Sequence, residues 1–253
     1  MLKNKSNYIS IGVIFIFFII WQLLGTYGIV STVLISSPEF VFNRLMEMLG
    51  DGSLVENLQF SISNLTIGLI ISILSGIILG LVFHFSNFLY SFFKPMVFSL
   101  NSLPLISLLP LILLWFGFED FAKILTIVVF CTPTIIINMY NGLKSVNKDL
   151  LLVSKAFRLN RIKHIWSILF FGALPYIFTG IKISIGKAII GLVLSEMFGY
   201  GKGIGYLLFL YSSASDTTGL LLITFILLLI NYVFIFLLNA IKLNILKKYD
   251  YNV

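Results

Sequence analysis

Apolar residues along this chain gather in runs too long for the alternation of a half-buried strand and too complete for the one-sided stripe of a surface helix. The runs fall at about residues 9–24, 62–83, 96–116, 121–140, 176–198 and 220–240. A helix needs about 20 apolar residues to cross a hydrocarbon layer about 30 Å thick. The pattern therefore predicts an all-α membrane protein with about six transmembrane helices, which together take up about half of the chain. What remains leaves no room for a second globular domain, so residues 1–253 read as a single transmembrane domain.

Breaks within the runs refine this picture. Gly76 and Gly80 stand four residues apart in the second run, a small-xxx-small pattern that lets another helix approach closely. Pro104 and Pro110 interrupt the third run and Pro133 the fourth. Each is expected to mark a bend, and bends in a bundle can line a cavity or build a gate. The first run passes into WQLLGTYGIV with no small-residue cleavage step, so it reads as a membrane helix rather than a signal peptide.

Composition agrees with the runs. The chain is 59% hydrophobic and only 11% charged, with a mean hydropathy of +1.05. That charge cannot coat a soluble globule but suffices to decorate the two faces of a bundle set in lipid. With the N-terminus inside, twelve basic residues fall in inner segments: Lys3, Lys5, Lys94, Lys144, Lys148, Lys155, Arg158, Arg161, Lys163, Lys242, Lys247 and Lys248. Only Arg44, Lys123 and Lys202 fall outside, while Glu39, Glu47, Asp51, Glu56, Glu119, Asp120 and Asp216 collect there. The asymmetry predicts cytoplasmic N- and C-termini, and it accounts for the net charge of +7 without a nucleic-acid surface. The single Cys131 excludes an intrachain disulfide and reads as a small buried hydrophobe.

Between the fourth and fifth runs, KSVNKDLLLVSKAFRLNRIKHIWSILFFGALP (144–175) carries apolar residues at helical spacing, among them Leu151, Ala156, Leu159, Ile162 and Ile165. Lys155, Arg158, Arg161 and Lys163 supply the polar side. A basic amphipathic helix on the cytoplasmic face has three physical readings: it lies on anionic lipid, it is a loop whose charges fix topology, or it docks in a groove on a soluble partner.

This stretch resembles the cytoplasmic signature of permease subunits of bacterial ABC importers. The similarity is carried mainly by the next block, LPYIFTGIKISIGKAIIGLVLSEMFGYGKGIGYLL (174–208), through Pro175, Thr179, Gly180, Lys182, Gly186, Lys187, Ala188, Glu196, Gly199, Gly203 and Gly205. It is similar to the branch that imports nitrate, sulfonates, taurine and thiamine-precursor pyrimidines. SLNSLPLISLLPLILLWFG (99–117) extends the match, with Ser107 where that branch usually has Ala. The core resemblance covers about residues 60–241.

The resemblance implies a second copy of the chain, two ATPase subunits that hold ATP and Mg²⁺, and an extracytoplasmic substrate-binding protein, in a bacterial cytoplasmic membrane. It also implies a coupling helix at about 153–165 between spans four and five, with Lys155, Ala156, Arg158, Leu159, Arg161 and Ile162 facing the ATPase. The usual motif glycine falls on Arg158, and arginine resists the left-handed angles that glycine tolerates, so the turn geometry of the motif is not carried over. A basic residue there can instead pair with an acidic residue of the partner.

Chemistry within the chain is sparse. His84 and His164 lie in or beside connections and read as polar loop residues. GYGKGIG (199–205) lacks the spacing of a phosphate loop, so the chain is expected to hold no cofactor or metal and to be no enzyme. Ionisable residues within spans mark pathways or internal pairs. Lys182 can reach the cytoplasmic surface. Lys187 either faces the pathway, where it attracts an anion, or pairs inside the bundle. Glu196, nine residues further on, is about 13 Å away on a straight helix and pairs only through another span or subunit. Asn101, Ser102 and Ser107 join Lys187 and Glu196 as pathway or interface candidates. The competing reading is a secondary transporter acting without an ATPase, which calls for internal repeats and paired midplane ion sites.

Overall fold

The computed structural model describes residues 36–199 and 201–248, with helical backbone also at positions 12, 13, 16, 19–23 and 25. The expected first span therefore falls largely outside the described residues, as do Lys3, Lys5 and Asp250.

Helix α1 (Pro38–Gly50) lies at the acidic end of the molecule. Ser37 caps it by accepting from the Phe40 amide at 3.3 Å, Pro38 opens it, and Glu39 sits in the first turn, all favourable at a helix N-terminus. Gly52, at φ +75°, turns the chain into the long α2 (Ser53–Phe85). Ser86 then caps α3 (Asn87–Ser102). A 3₁₀ turn (Leu105–Ser107) leads to the short α4 (Leu109–Phe116), and α5 (Asp120–Lys144) follows. Beyond it lie α6 (Lys148–Ala156) and α7 (Arg161–His164). From α7 a π turn (Ile165–Phe170) runs without a break into α8 (Phe171–Phe198). The chain closes with α9 (Ile204–Ser213) and α10 (Thr217–Lys248).

Helix α5 is the axis of the bundle, flanked by α2 and α8. Gly68, Gly76 and Gly80 of α2 stand against Ile127, Ile135 and Met139 of α5, so the two helices run parallel. Against α8 the order reverses: Gly191 meets Phe130, Gly180 meets Asn138, and Gly142 meets Tyr176 and Ala173. Lipid supplies no hydrophobic drive between helices, so close approach over small residues supplies the packing energy. The main core draws Leu65, Leu69, Ile127, Phe130, Ile185, Leu192, Ile204 and Ile223 from five of these helices. Helix α10 covers one flank and leaves Phe225, Leu228, Leu229, Tyr232 and Phe236 exposed, an apolar face suited to lipid.

Among the described residues, four helical segments are long and apolar enough to cross a membrane: Ser53–Phe85, Asp120–Lys144, Ile162–Phe198 and Thr217–Ile245. The third apolar run is the exception. It is not one span but two helices joined by the irregular segment 103–108. The cause is Pro104, which forces Leu103 into an extended conformation (φ −63°, ψ 144°) and ends α3. Pro110 sits in the first turn of α4, where its missing N–H costs nothing, and Pro133 lies inside an unbroken α5. The fifth span starts earlier than its charge pattern suggested, because residues 165–175 remain apolar and the π turn carries the helix through them.

The expected single helix at 153–165 is divided. Helix α6 stops at Ala156, Arg158 takes φ +48°, and α7 begins at Arg161. Asn160 separates the two helices by capping α7, its Oδ1 accepting from the Lys163 amide at 2.8 Å.

Candidate functional site

Three polar assemblies stand out against the apolar bundle. The first lies midway along α8. Lys187 Nζ donates to Asn101 Oδ1 and to Thr134 Oγ1, each at 2.8 Å, and Thr134 Oγ1 donates to the same Asn101 oxygen at 2.7 Å. Three elements meet here: the last turn of α3, the middle of α5 and the middle of α8. Thr134 is buried, whereas Lys187 and Asn101 are partly exposed. Beside them, Gly186 faces open space. Along the same helix Tyr176, Thr179, Ile183 and Ile190 are exposed, and their spacing sets them on one stripe. Ser102 and Ser107, flanking the irregular segment, are exposed as well. Lys182 is also exposed, in the half of α8 nearer the basic end.

The second assembly is at the acidic end of α8. Glu196 is fully buried. Ser61 Oγ of α2 lies 2.8 Å and 2.9 Å from its two carboxylate oxygens, and the Gly205 amide donates to Oε2 at 2.8 Å. Ser61 Oγ in turn accepts from the Ile204 amide, and Asn57 Oδ1 from the Gly203 amide. The first turn of α9 is thus pinned to α2 and α8 through one carboxylate. Gly203 (φ +115°) and Gly205 are required here, because a Cβ at either position would run into Glu196 itself. Lys123 is buried nearby, 3.6 Å from Asp120 Oδ1 and 4.4 Å above the Phe60 ring centroid. At the adjoining surface Lys202 meets Glu56 at 2.6 Å, and that hydrogen bond holds the ammonium above the usual lysine range.

Glu196 and Lys187 therefore occupy separate environments, and Glu196 reaches no open surface. Sequence reasoning grouped them because both interrupt a span. The glycines at 203 and 205, already singled out, were the sign that the loop folds back onto the carboxylate.

The third assembly is the turn after α6. The Leu159 amide donates to Ser154 O at 3.1 Å around the left-handed Arg158, which is the Schellman pattern with arginine in the usual glycine position. Buried Ser154 also meets His164 Nδ1 at 2.9 Å, which ties α6 to α7. Leu152, Phe157 and Ile162 are 62%, 76% and 69% exposed around this turn. Ala156 and Arg158 are exposed too, and Leu159 is partly buried. The side chains of Lys155 and Arg161 lie outside the described residues. His164 thus bridges two helices rather than sitting free in a loop.

Comparison with known proteins follows this architecture. The profile of the family described as "Binding-protein-dependent transport system inner membrane component" matches residues 68–247. An aliphatic sulfonates transport permease of Bacillus subtilis (strain 168) is 31% identical over 189 residues, 75% of this chain and 68% of that protein. The taurine transport system permease of Escherichia coli (strain K12) is 25% identical, covering 81% and 76%. The formylaminopyrimidine transport permease of Halalkalibacterium halodurans is 27% identical, covering 74% of each chain. Among solved structures, a chain of the inward-facing MetNI methionine ABC transporter superimposes with a TM-score of 0.61 at 19% identity, over 74% of this chain and 95% of that one. That likeness establishes the fold. The helical bundle, the permease relatives and the profile match together place this chain in the binding-protein-dependent transport system inner membrane component family, as a permease subunit of an ABC importer of small solutes and not itself an enzyme.

Proposed function

We propose that two copies of this chain form the pathway of an importer in the bacterial cytoplasmic membrane, with both termini in the cytoplasm. A pair of separate ATPase subunits, holding ATP and Mg²⁺, drives it, and an extracytoplasmic binding protein delivers the solute. The cargo belongs to the group spanned by sulfonates, taurine, nitrate and thiamine-precursor pyrimidines. Transport proceeds by alternating access: nucleotide closes the ATPases, the motion is passed to the bundle, and the pathway turns outward to receive solute. This requires two states whose energies nucleotide and loaded binding protein reorder.

The observation that carries the reading is the turn after α6. Leu152, Phe157 and Ile162 expose large apolar surface on a segment that the charge count puts in water. Such a patch fits a groove on a soluble partner. The turn is also tied to α7 through Ser154 and His164, and α7 continues into α8. Force applied there therefore passes along a continuous helix to the middle of the bundle.

The test is purification from the native membrane in mild detergent, with mass spectrometry and an ATPase assay on the product. The proposal expects an ATPase to be recovered at two copies per two permeases, and to be lost when residues 153–165 are replaced by a neutral linker. A chain that stays alone under extraction gentle enough to preserve other importers would overturn it and return the secondary transporter.

A further inference from the structure

We infer that Lys187, held by Asn101 and Thr134, is an anion subsite on the pathway, so that the cargo of this permease carries an anionic group such as a sulfonate or nitrate rather than being an uncharged heterocycle. The inference rests on the importer reading above and narrows it.

An ammonium at membrane depth needs compensation. Its hydrogen-bond partners here, an amide oxygen and a hydroxyl, carry no net charge. Among the described residues the ion pairs involve Arg44, Lys123 and Lys202, all toward the acidic end, and none reaches Lys187. A second copy does not help. Of the ten acidic residues only Glu196 falls within an apolar run, and its carboxylate is buried and engaged by Ser61 and Gly205. Among the described residues no carboxylate is thus placed to neutralise Lys187 in mid-membrane. A negatively charged group that passes through would do so.

Segment 103–108 interrupts the α-helical backbone next to Asn101, with only the 3₁₀ turn Leu105–Ser107 inside it, and Ser102, Leu103, Pro104, Ile106 and Ser107 are exposed. Irregular backbone at membrane depth survives only where protein covers it or water reaches it. The face that bears Asn101 and Lys187 is therefore not lipid-facing. It borders the second copy or an aqueous path, and Gly186, the neighbour of Lys187 in the chain, has open space where a Cβ would stand. Lys187 has three N–H donors, of which Asn101 and Thr134 take two, and the third remains for an oxyanion. The two neutral partners orient the ammonium without spending its charge, as a transient ligand requires.

The test uses the complete importer in proteoliposomes with its binding protein, offered labelled taurine, nitrate, methanesulfonate and formylaminopyrimidine. Wild type is expected to take up one of the anionic or sulfonate-bearing probes. Lys187→Gln should lower that uptake about tenfold or more, the scale of one charge-assisted hydrogen bond, whereas Lys187→Arg should keep most of it. Asn101→Asp supplies a fixed counter-ion beside Lys187, which favours folding. It should lower uptake by a similar factor in complexes that still hold the ATPase, a readout that a merely structural role would leave unmoved. Uptake of formylaminopyrimidine alone by wild type, or anion uptake within about twofold of wild type in Asn101→Asp, about 0.4 kcal/mol by the same conversion, would overturn the inference. Failure of wild type to retain an ATPase would instead sink the importer reading on which it stands.

Discussion

At the residue scale, two backbone positions with positive φ illustrate opposite solutions. Gly203 has φ +115° because the Glu196 carboxylate occupies the space where a Cβ would stand. Gly203→Ala should therefore cost about 1–3 kcal/mol through strain alone, read as a lower thermal unfolding midpoint in detergent. Glu196→Ala should be at least as damaging, because Ser61 Oγ and the Gly205 amide lose their acceptor in a buried site, at about 1–3 kcal/mol for each group left unpaired. Arg158 is the reverse case, a side chain kept where glycine would fit. A left-handed L-residue costs about 1–2 kcal/mol and glycine's extra freedom in the unfolded chain about 0.5–1 kcal/mol. Arg158→Gly should thus steady the turn by up to about 1.5 kcal/mol, seen as slower hydrogen exchange of the Leu159 amide bonded to Ser154. If that variant also loses its ATPase, the arginine is retained for a contact with the partner.

At the scale of elements, the seam between α2 and α5 depends on missing side chains. A Cβ on Gly76 would come within 2.6 Å of Ile135, whereas one on Gly186 meets nothing within 4 Å. Gly76→Leu should prevent stable insertion of the bundle, and Gly186→Ala should leave its stability intact or raise it by up to about 1 kcal/mol; the monodisperse yield after extraction separates the two. The sequence already showed Gly76 and Gly80 as a contact motif, and the lengths of the apolar runs located α2, α5 and α10 well. It did not show that α3 and α4 are separate, because hydropathy is blind to backbone direction and Pro104 looked no different from Pro133. What differs is context: Pro133 lies within an α5 packed on both sides, while Pro104 follows the exposed Ser102 and Leu103. The divided coupling segment was hidden for a related reason. Helical periodicity persists across a Schellman turn, and with arginine in the glycine position nothing in the pattern announced the stop. The environments of Lys187 and Glu196 were beyond reach altogether, since they depend on Asn101, Thr134 and Ser61, which are 86, 53 and 135 residues distant in the chain.

At the scale of the whole molecule, the bundle has two kinds of exposed surface, and they should differ chemically once it is in a membrane. The outer face of α10, with Leu229 and Phe236, is uniformly apolar, whereas the stripe on α8 with Thr179 lies on the same helix as Lys187 and near the exposed break at Ser102. Thiols react with charged methanethiosulfonates only as thiolates, which form in water and are suppressed in hydrocarbon. The native chain provides a silent background, because Cys131 is buried. Single cysteines at Thr179 and Ser102 should therefore be labelled in intact membranes, and cysteines at Leu229 and Phe236 should not. A pathway that opens to alternate sides further requires that trapping the partner ATPase in its nucleotide-bound state change the rate at Thr179, toward the basic end, in the opposite sense to the rate at Ser107, beyond the Lys187 level. Equal labelling of both faces, or rates indifferent to nucleotide, would mean that the α8 stripe is sealed against a neighbour and that solute passes elsewhere. Opposed changes would place the point of alternation between Thr179 and Ser107, where α3 ends, Asn101 meets Lys187, and the bundle has its break in helical backbone.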